Sequence, residues 1–228
     1  MRNRIIVLTI LLCVFTQTPL FAEDQFVGKD IAVRIGYVAG TSNFSFDNSG
    51  ESFYVRDGMM VEIIKENRIS PYLNVGLASA YLKIQNEINH REFLVTNYTP
   101  SYLRGVYHSW HIASKQDAFL LLIRPNINVD IAQLINVGIE TGFGVGYFMK
   151  NEKWQWTSSY LPGTNSAAGN LNGYSFDPYI DLGMNVSWLI DDKSSVGINF
   201  SYSLINSEFG HYNGGSYYRG GMFYKVNY

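Results

Sequence analysis

Met222-Phe223-Tyr224-Lys225-Val226-Asn227-Tyr228 changes character at every residue. Met222, Tyr224, Val226 and Tyr228 fall on one face and Phe223, Lys225 and Asn227 on the other, because strand side chains point to opposite sides with period two. The sequence stops inside this strand, on an aromatic residue. That is expected of a strand whose task is to pair with the first strand and close a ring. Tyr224, Val226 and Tyr228 are therefore read as a closing-strand signal on the outward face.

Upstream, the same alternation returns between turns. Val196, Ile198, Phe200, Tyr202 and Leu204 oppose Gly197, Asn199, Ser201 and Ser203. Ile180, Leu182, Met184, Val186 and Trp188 oppose Asp181, Gly183, Asn185 and Ser187. Val137, Ile139, Phe143, Val145 and Tyr147 oppose Gly138, Glu140, Gly142, Gly144 and Gly146. Stretches beginning at Ile31, Met59, Leu73 and Leu121 follow the same rule. One face is aliphatic or aromatic, the other small, polar or charged, and the connections alternate short and long. This is the pattern of an all-β, closed, antiparallel up-and-down transmembrane barrel with apolar side chains outward. A soluble up-and-down barrel would exchange the two faces. Tyr37, Tyr81, Tyr147, Trp188 and Tyr228 lie near strand ends, where an interfacial aromatic girdle belongs, and they favour the membrane reading.

Composition agrees. Charged residues are 16% of the chain, below the roughly 25% of soluble domains. The 17 basic and 19 acidic residues nearly balance, which gives nucleic-acid binding no support. Arg2 and Arg4, an apolar run from Ile5 to Phe15, and Leu20-Phe21-Ala22 ahead of Glu23 read as a secretory signal over 1–22, leaving 23–228 as the barrel domain. The single cysteine, Cys13, lies in that leader, so no disulfide or thiolate chemistry is expected after cleavage.

The strand count turns on Gln85 to Asp117. Read as one elaborated outer loop, this segment leaves eight strands. If Arg91–Tyr98 pairs with Tyr102–Ala113 around Thr99-Pro100-Ser101, there are ten. An even number keeps both ends on one side, and eight is the expectation. A second polar stretch, Lys150 to Gly173, reads as a loop carrying the aromatics Trp154, Trp156 and Tyr160, residues suited to a partner, a hydrophobic solute or a membrane-rim anchor.

Pro71-Tyr72-Leu73-Asn74-Val75-Gly76-Leu77, Gly142-Phe143-Gly144-Val145-Gly146-Tyr147, Asp177-Pro178-Tyr179-Ile180-Asp181-Leu182-Gly183 and the terminal strand resemble phrases of the small outer-membrane β-barrel superfamily that includes the OmpA transmembrane domain, OmpX and OmpW. The resemblance spans about Asp30 to Tyr228. It implies the outer membrane of a diderm bacterium, with outer-membrane lipid and the barrel-assembly machinery as partners, and a surface ligand or small hydrophobic solute besides. Three roles follow from it: a structural or surface-interaction barrel first, a narrow OmpW-like conduit for small hydrophobic molecules second, and a lipid-modifying enzyme third.

The inward faces carry charges. Counting across turns brings Arg34 opposite Glu62 and Arg124 near Glu140, with Asp181 on the same side; Asp130, Asp177, Arg219 and Lys225 also point inward. Buried charges must be paired, and a lumen bounded by eight strands holds little beyond side chains. A salt-bridged plug is therefore expected ahead of a polar ligand or ion path, and the fifth-strand glycines leave room for larger partners such as Tyr72 or Phe223, or for a small cavity. Histidine chemistry is thin. His108-Ser109, and His211 with Ser207 and Glu208, lack the fuller motif of a lipid hydrolase, and His108 with His111 lacks a third metal ligand. No catalytic residue, cofactor or metal is expected.

Overall fold

The computed structural model describes residues 29–46, 49–93, 107–132, 134–160, 163–209 and 212–227. They form eight strands: β1 (Lys29–Phe46), β2 (Ser49–Arg68), β3 (Leu73–Phe93), β4 (Tyr107–Ala132), β5 (Ile135–Tyr160), β6 (Gly163–Asp191), β7 (Ser194–Phe209) and β8 (Tyr212–Asn227). Each pairs antiparallel with the next, and β8 returns to β1 to close the barrel, with Tyr224 beside Val33 and Phe223 beside Arg34. Closure satisfies the backbone groups that an open edge would expose to lipid. The expected leader over 1–22 and Tyr228 lie outside the described residues.

The period-two pattern sets which side faces where. Ile35, Leu182 and Met222 are 60%, 57% and 71% exposed, whereas Arg34, Asp181 and Phe223 are buried. The molecule is thus apolar outside and polar within, the reverse of a soluble barrel. From Val137 to Tyr147, β5 climbs about 25 Å at the usual tilt, the height of a membrane's apolar band. Tyr37, Tyr81, Phe119, Tyr147, Tyr202 and Tyr218 mark its upper border, with ring contacts between Tyr81 and Phe119 and between Tyr202 and Tyr218. Tyr174 and Phe176 are also exposed and pack against Tyr147. Trp188 and Tyr224 stand toward the other border.

The turns at that lower end are short. Ser70 Oγ accepts from the backbone N–H of Leu73 at 3.1 Å and closes β2 to β3. Asp191 Oδ1 accepts from the N–H of Lys193 at 2.8 Å between β6 and β7. That backbone donor, with Ser194, holds the Asp191 carboxyl below its usual range.

Two expectations need correction. Gln85 to Asp117 is not mainly a loop: β3 and β4 pair without a break from Leu73↔Ile127 up to Phe93↔Tyr107. Lys150 to Gly173 is likewise strand, paired from Lys150↔Gly173 to Tyr160↔Gly163. Trp154, Trp156 and Tyr160 therefore belong to β5, not to a loop. The physical reason is that hairpin hydrogen bonding continues past the lipid border, where water on the outer face removes the apolar contrast that reveals strands in sequence.

Pairing between β6 and β7 reaches no higher than Tyr179↔Ile205, and β7 turns back after Phe209. The upper parts of β3, β4, β5 and β6 thus rise above the ring as a four-stranded projection.

Candidate functional site

At mid-height a layer of charge crosses the lumen. Arg34 comes from β1, Glu62 from β2, Arg124 from β4, Glu140 from β5, Asp181 from β6 and Arg219 from β8, all buried. Their formal charges cancel. Arg124 is the hub: its Nη1 and Nη2 donate to Asp181 Oδ1 and Oδ2 at 2.9 and 2.7 Å, and its Nε donates to Glu62 Oε1. This two-pronged geometry is the strongest a guanidinium can make with a carboxylate. Arg34 Nη1 donates to Glu140 Oε1 at 2.5 Å. Arg219 Nη1 reaches Glu62 Oε2 at 3.4 Å and Met60 Sδ at 3.1 Å. Asn185 Nδ2 donates to Glu140 Oε2 at 3.4 Å.

The pairs expected from sequence sit within this layer, but their shortest contacts lie elsewhere. Arg34 and Glu62 are direct register partners, yet Arg34 Nη1 is 3.8 Å from Glu62 Oε2, farther than from Glu140. Arg124 Nη1 is 4.0 Å from Glu140 and turns instead to Glu62 and Asp181. Asp130 is exposed at the lower rim, where it accepts from Asn136. Lys225 pairs below the layer with Glu66 at 2.6 Å and Asp30 at 3.2 Å. Glu66, Lys150 and Glu152 are buried charges that the sequence reading passed over; strict alternation from Glu62 and from Glu140 would have found them.

Glycine makes room for the hub. A Cβ on Gly142 would lie 2.7 Å from Asp181 Oδ1 and 2.8 Å from Arg124 Nη1. Neither Tyr72 nor Phe223 fills the β5 glycines. Tyr72 is exposed on a turn, and Phe223 packs where Gly197 of β7 lacks a side chain, with Arg34 over its ring at 5.4 Å.

Above the charges the described residues form an apolar ceiling. Met60, Leu82, Ile84, Leu120, Phe148, Tyr179, Ile205 and Tyr217 are buried there, and the gap among Val38, Met60, Tyr179, Tyr217 and Arg219 measures about 10 Å³, close to the minimum for one water. Below the layer the lumen opens into a vestibule of about 270 Å³ bordered by Asp30, Asn74, Asn128, Ser195 and Lys225. Among the described residues no cluster of His, Cys, Asp and Glu is arranged to hold a metal. The side chains of His108 and His211 lie outside the described residues; His111 Nδ1 is 2.6 Å from Asn89 Oδ1 on the outer face of the projection.

A closed ring of strands with a lipid-facing apolar belt and a charged interior defines a transmembrane β-barrel. No protein-family model matches the chain, and no curated protein matches it in sequence. Solved structures it is similar to include outer-membrane barrels. The Neisserial surface protein NspA aligns over 88% of this chain and 97% of its own, at 8% identity and a TM-score of 0.43. The outer-membrane protein OprG of Pseudomonas aeruginosa aligns over 89% and 97%, at 12% identity and a TM-score of 0.37. The outer-membrane protease OmpT of Escherichia coli aligns over 93% and 100%, at 8% identity and a TM-score of 0.46. At these identities the likeness is one of fold.

Proposed function

We propose that this chain is an outer-membrane protein of a diderm bacterium, exported by a leader over 1–22, that works at the cell surface as a non-catalytic interaction barrel and not as a channel. The observation that carries this reading is the filling of the lumen among the described residues: a charge layer in which each arginine faces at least one carboxylate lies under buried apolar side chains. Buried ionisable groups are spent on one another. The projection of β3 to β6 supplies the surface that a partner would meet.

Reconstitution into planar bilayers tests the proposal. The expected result is no reproducible unit conductance, and no protein-dependent uptake of an apolar tracer into vesicles. A discrete conductance, or tracer uptake that scales with protein, would replace the sealed-barrel reading with a conduit.

A further inference from the structure

We propose that the unpaired edge of β6, above the lipid border, takes up an extended segment of another protein as an added antiparallel strand. The inference rests on the surface-interaction reading above and names the place of contact and the form of the partner.

The ladder between β5 and β6 runs unbroken from Ile135↔Trp188 to Tyr160↔Gly163. On the other side, β7 leaves β6 above Tyr179↔Ile205. Residues 163–178 therefore have a neighbouring strand on one side only among the described residues. Two observations decide which backbone groups face the empty side. Near the foot of β6 the N–H of Leu189 donates to Leu134 O at 3.0 Å, toward β5. Strand N–H groups alternate sides, and the β5–β6 register has no shift, so odd-numbered residues of β6 bond β5 and even-numbered ones face away from it. Pro178, even-numbered and without an N–H, leaves the β5 ladder intact, as this phase requires. Ser166, Ala168, Asn170, Asn172, Tyr174 and Phe176 thus each turn an N–H and a C=O to the empty side, over about 33 Å of strand.

Such an edge is a template for a further strand, and proteins ordinarily blunt it with charge, proline or a bulge. The opposite margin of the projection is blunted: above Asn86, where pairing with β2 ends, β3 carries Glu87, Arg91 and Glu92. The β6 margin has no such device. From Gly163 to Phe176 there is neither a charged residue nor a proline, and Ala168, Asn170 and Asn172 are exposed.

The direction of β6 selects the occupant. Two copies in one membrane raise β6 the same way and would pair only in parallel, the weaker ladder. A segment of a different protein is free to run antiparallel. Its side chains follow from their neighbours. Tyr174 and Phe176 are 72% and 77% exposed at the lower part of the edge, with Asn172 and Asn170 above them on the same face, so aromatic or β-branched residues suit the lower end and polar ones the upper. Charge on the segment gains nothing, because Asp177, next along the strand, already engages Lys150 and Ser175.

The probe is an end-capped octapeptide of alternating threonine and valine, N-methylated at every second residue so that only one of its edges pairs and it does not self-assemble. Binding to the detergent-folded full chain is followed by anisotropy of an uncharged dye on the peptide. The expected result is saturable binding of this peptide and none of its counterpart methylated at every residue, a comparison that needs no variant. Asn170→Pro removes an outward N–H and should weaken binding about tenfold, the worth of one or two backbone hydrogen bonds, with heat-modifiable mobility unchanged. Asn170→Ala keeps the N–H and should bind like the native chain. Absence of saturable binding, equal binding of the two peptides, or an Asn170→Pro chain that binds like the native one would overturn the proposal. Failure of Asn170→Pro to fold would place its N–H in the β5 ladder and overturn the edge assignment. Dimerisation of the native chain that Asn170→Pro abolishes would give the edge to a second copy and overturn it too. A non-conducting barrel that ignores the peptide sinks this inference alone; a conducting barrel that binds it sinks only the filled-lumen reading.

Discussion

Arg124 and Arg219 share one charge layer and are held differently. Arg124 makes hydrogen bonds from all three guanidinium nitrogens. Arg219 reaches its carboxylates at 3.4 and 4.0 Å, and its Nε and Nη2 have no hydrogen-bond partner among the described residues. Removing one member of a buried network strands its partners at a cost of about 3–5 kcal/mol. Arg124→Met should therefore lose about that much in a urea titration of the detergent-folded barrel, and Arg219→Met clearly less. Equal losses would show that contact distance does not set the ranking. Adding Asp181→Leu to Arg124→Met should cost less than the sum of the two single changes, because the pair goes together. Gly142→Ala tests the space beside the hub. Its new methyl meets Asp181 and Arg124 at 2.7 and 2.8 Å, and overpacking of this kind costs about 1–3 kcal/mol. The direct register of Arg34 with Glu62 was legible in the sequence, since adjacent hairpin strands can be counted residue by residue. The Arg34–Glu140 contact was not. It joins β1 to β5 across the lumen, and alternation says which way a side chain points but not how far it reaches.

The elements divide along the same line. Strands inside the lipid belt were readable from Ile31, Val137, Ile180 and Val196 onward because one face must be apolar and the other not. The hairpins above the belt lost that contrast, so Gln85 to Asp117 and Lys150 to Gly173 read as loops although their described residues are paired strand. Hydrogen exchange separates the two descriptions. Amides of Asn151, Lys153 and Gln155 lie in ladders with β4 on one side and β6 on the other, so they should be protected far beyond the rate of a free loop. Exchange at the unprotected rate across these positions in detergent-folded protein would mean that the projection is not a sheet in solution.

For the whole molecule, what matters is which part sits in lipid and which way up. Leu182 is 57% exposed in the middle of the belt, whereas Asn170 is exposed on the outer face of the projection. Leu182→Arg should cost about 2–4 kcal/mol of folding into phospholipid vesicles and Asn170→Arg close to nothing, because arginine is expensive only at bilayer depth. A matching penalty at both sites would put the projection inside the membrane. Orientation follows from the asymmetry of the two ends. Among the described residues the lower end carries short connections, at Ser70, between Ala132 and Ile135 and around Asp192-Lys193, and both described chain ends also lie there. The upper end carries the four long strands. A barrel delivered from the inner side must thread its hairpins outward, so the end with short turns and both chain ends should stay inside and the projection should face the medium. Residues 23–228 contain no cysteine, so single-cysteine variants made with Cys13 replaced by serine are clean reporters. In intact cells, Lys153→Cys should react with a membrane-impermeant maleimide and Lys193→Cys should not; after the outer membrane is permeabilised, both should. Labelling of Lys193→Cys in intact cells would invert the barrel and take the unpaired edge of β6 away from the cell surface.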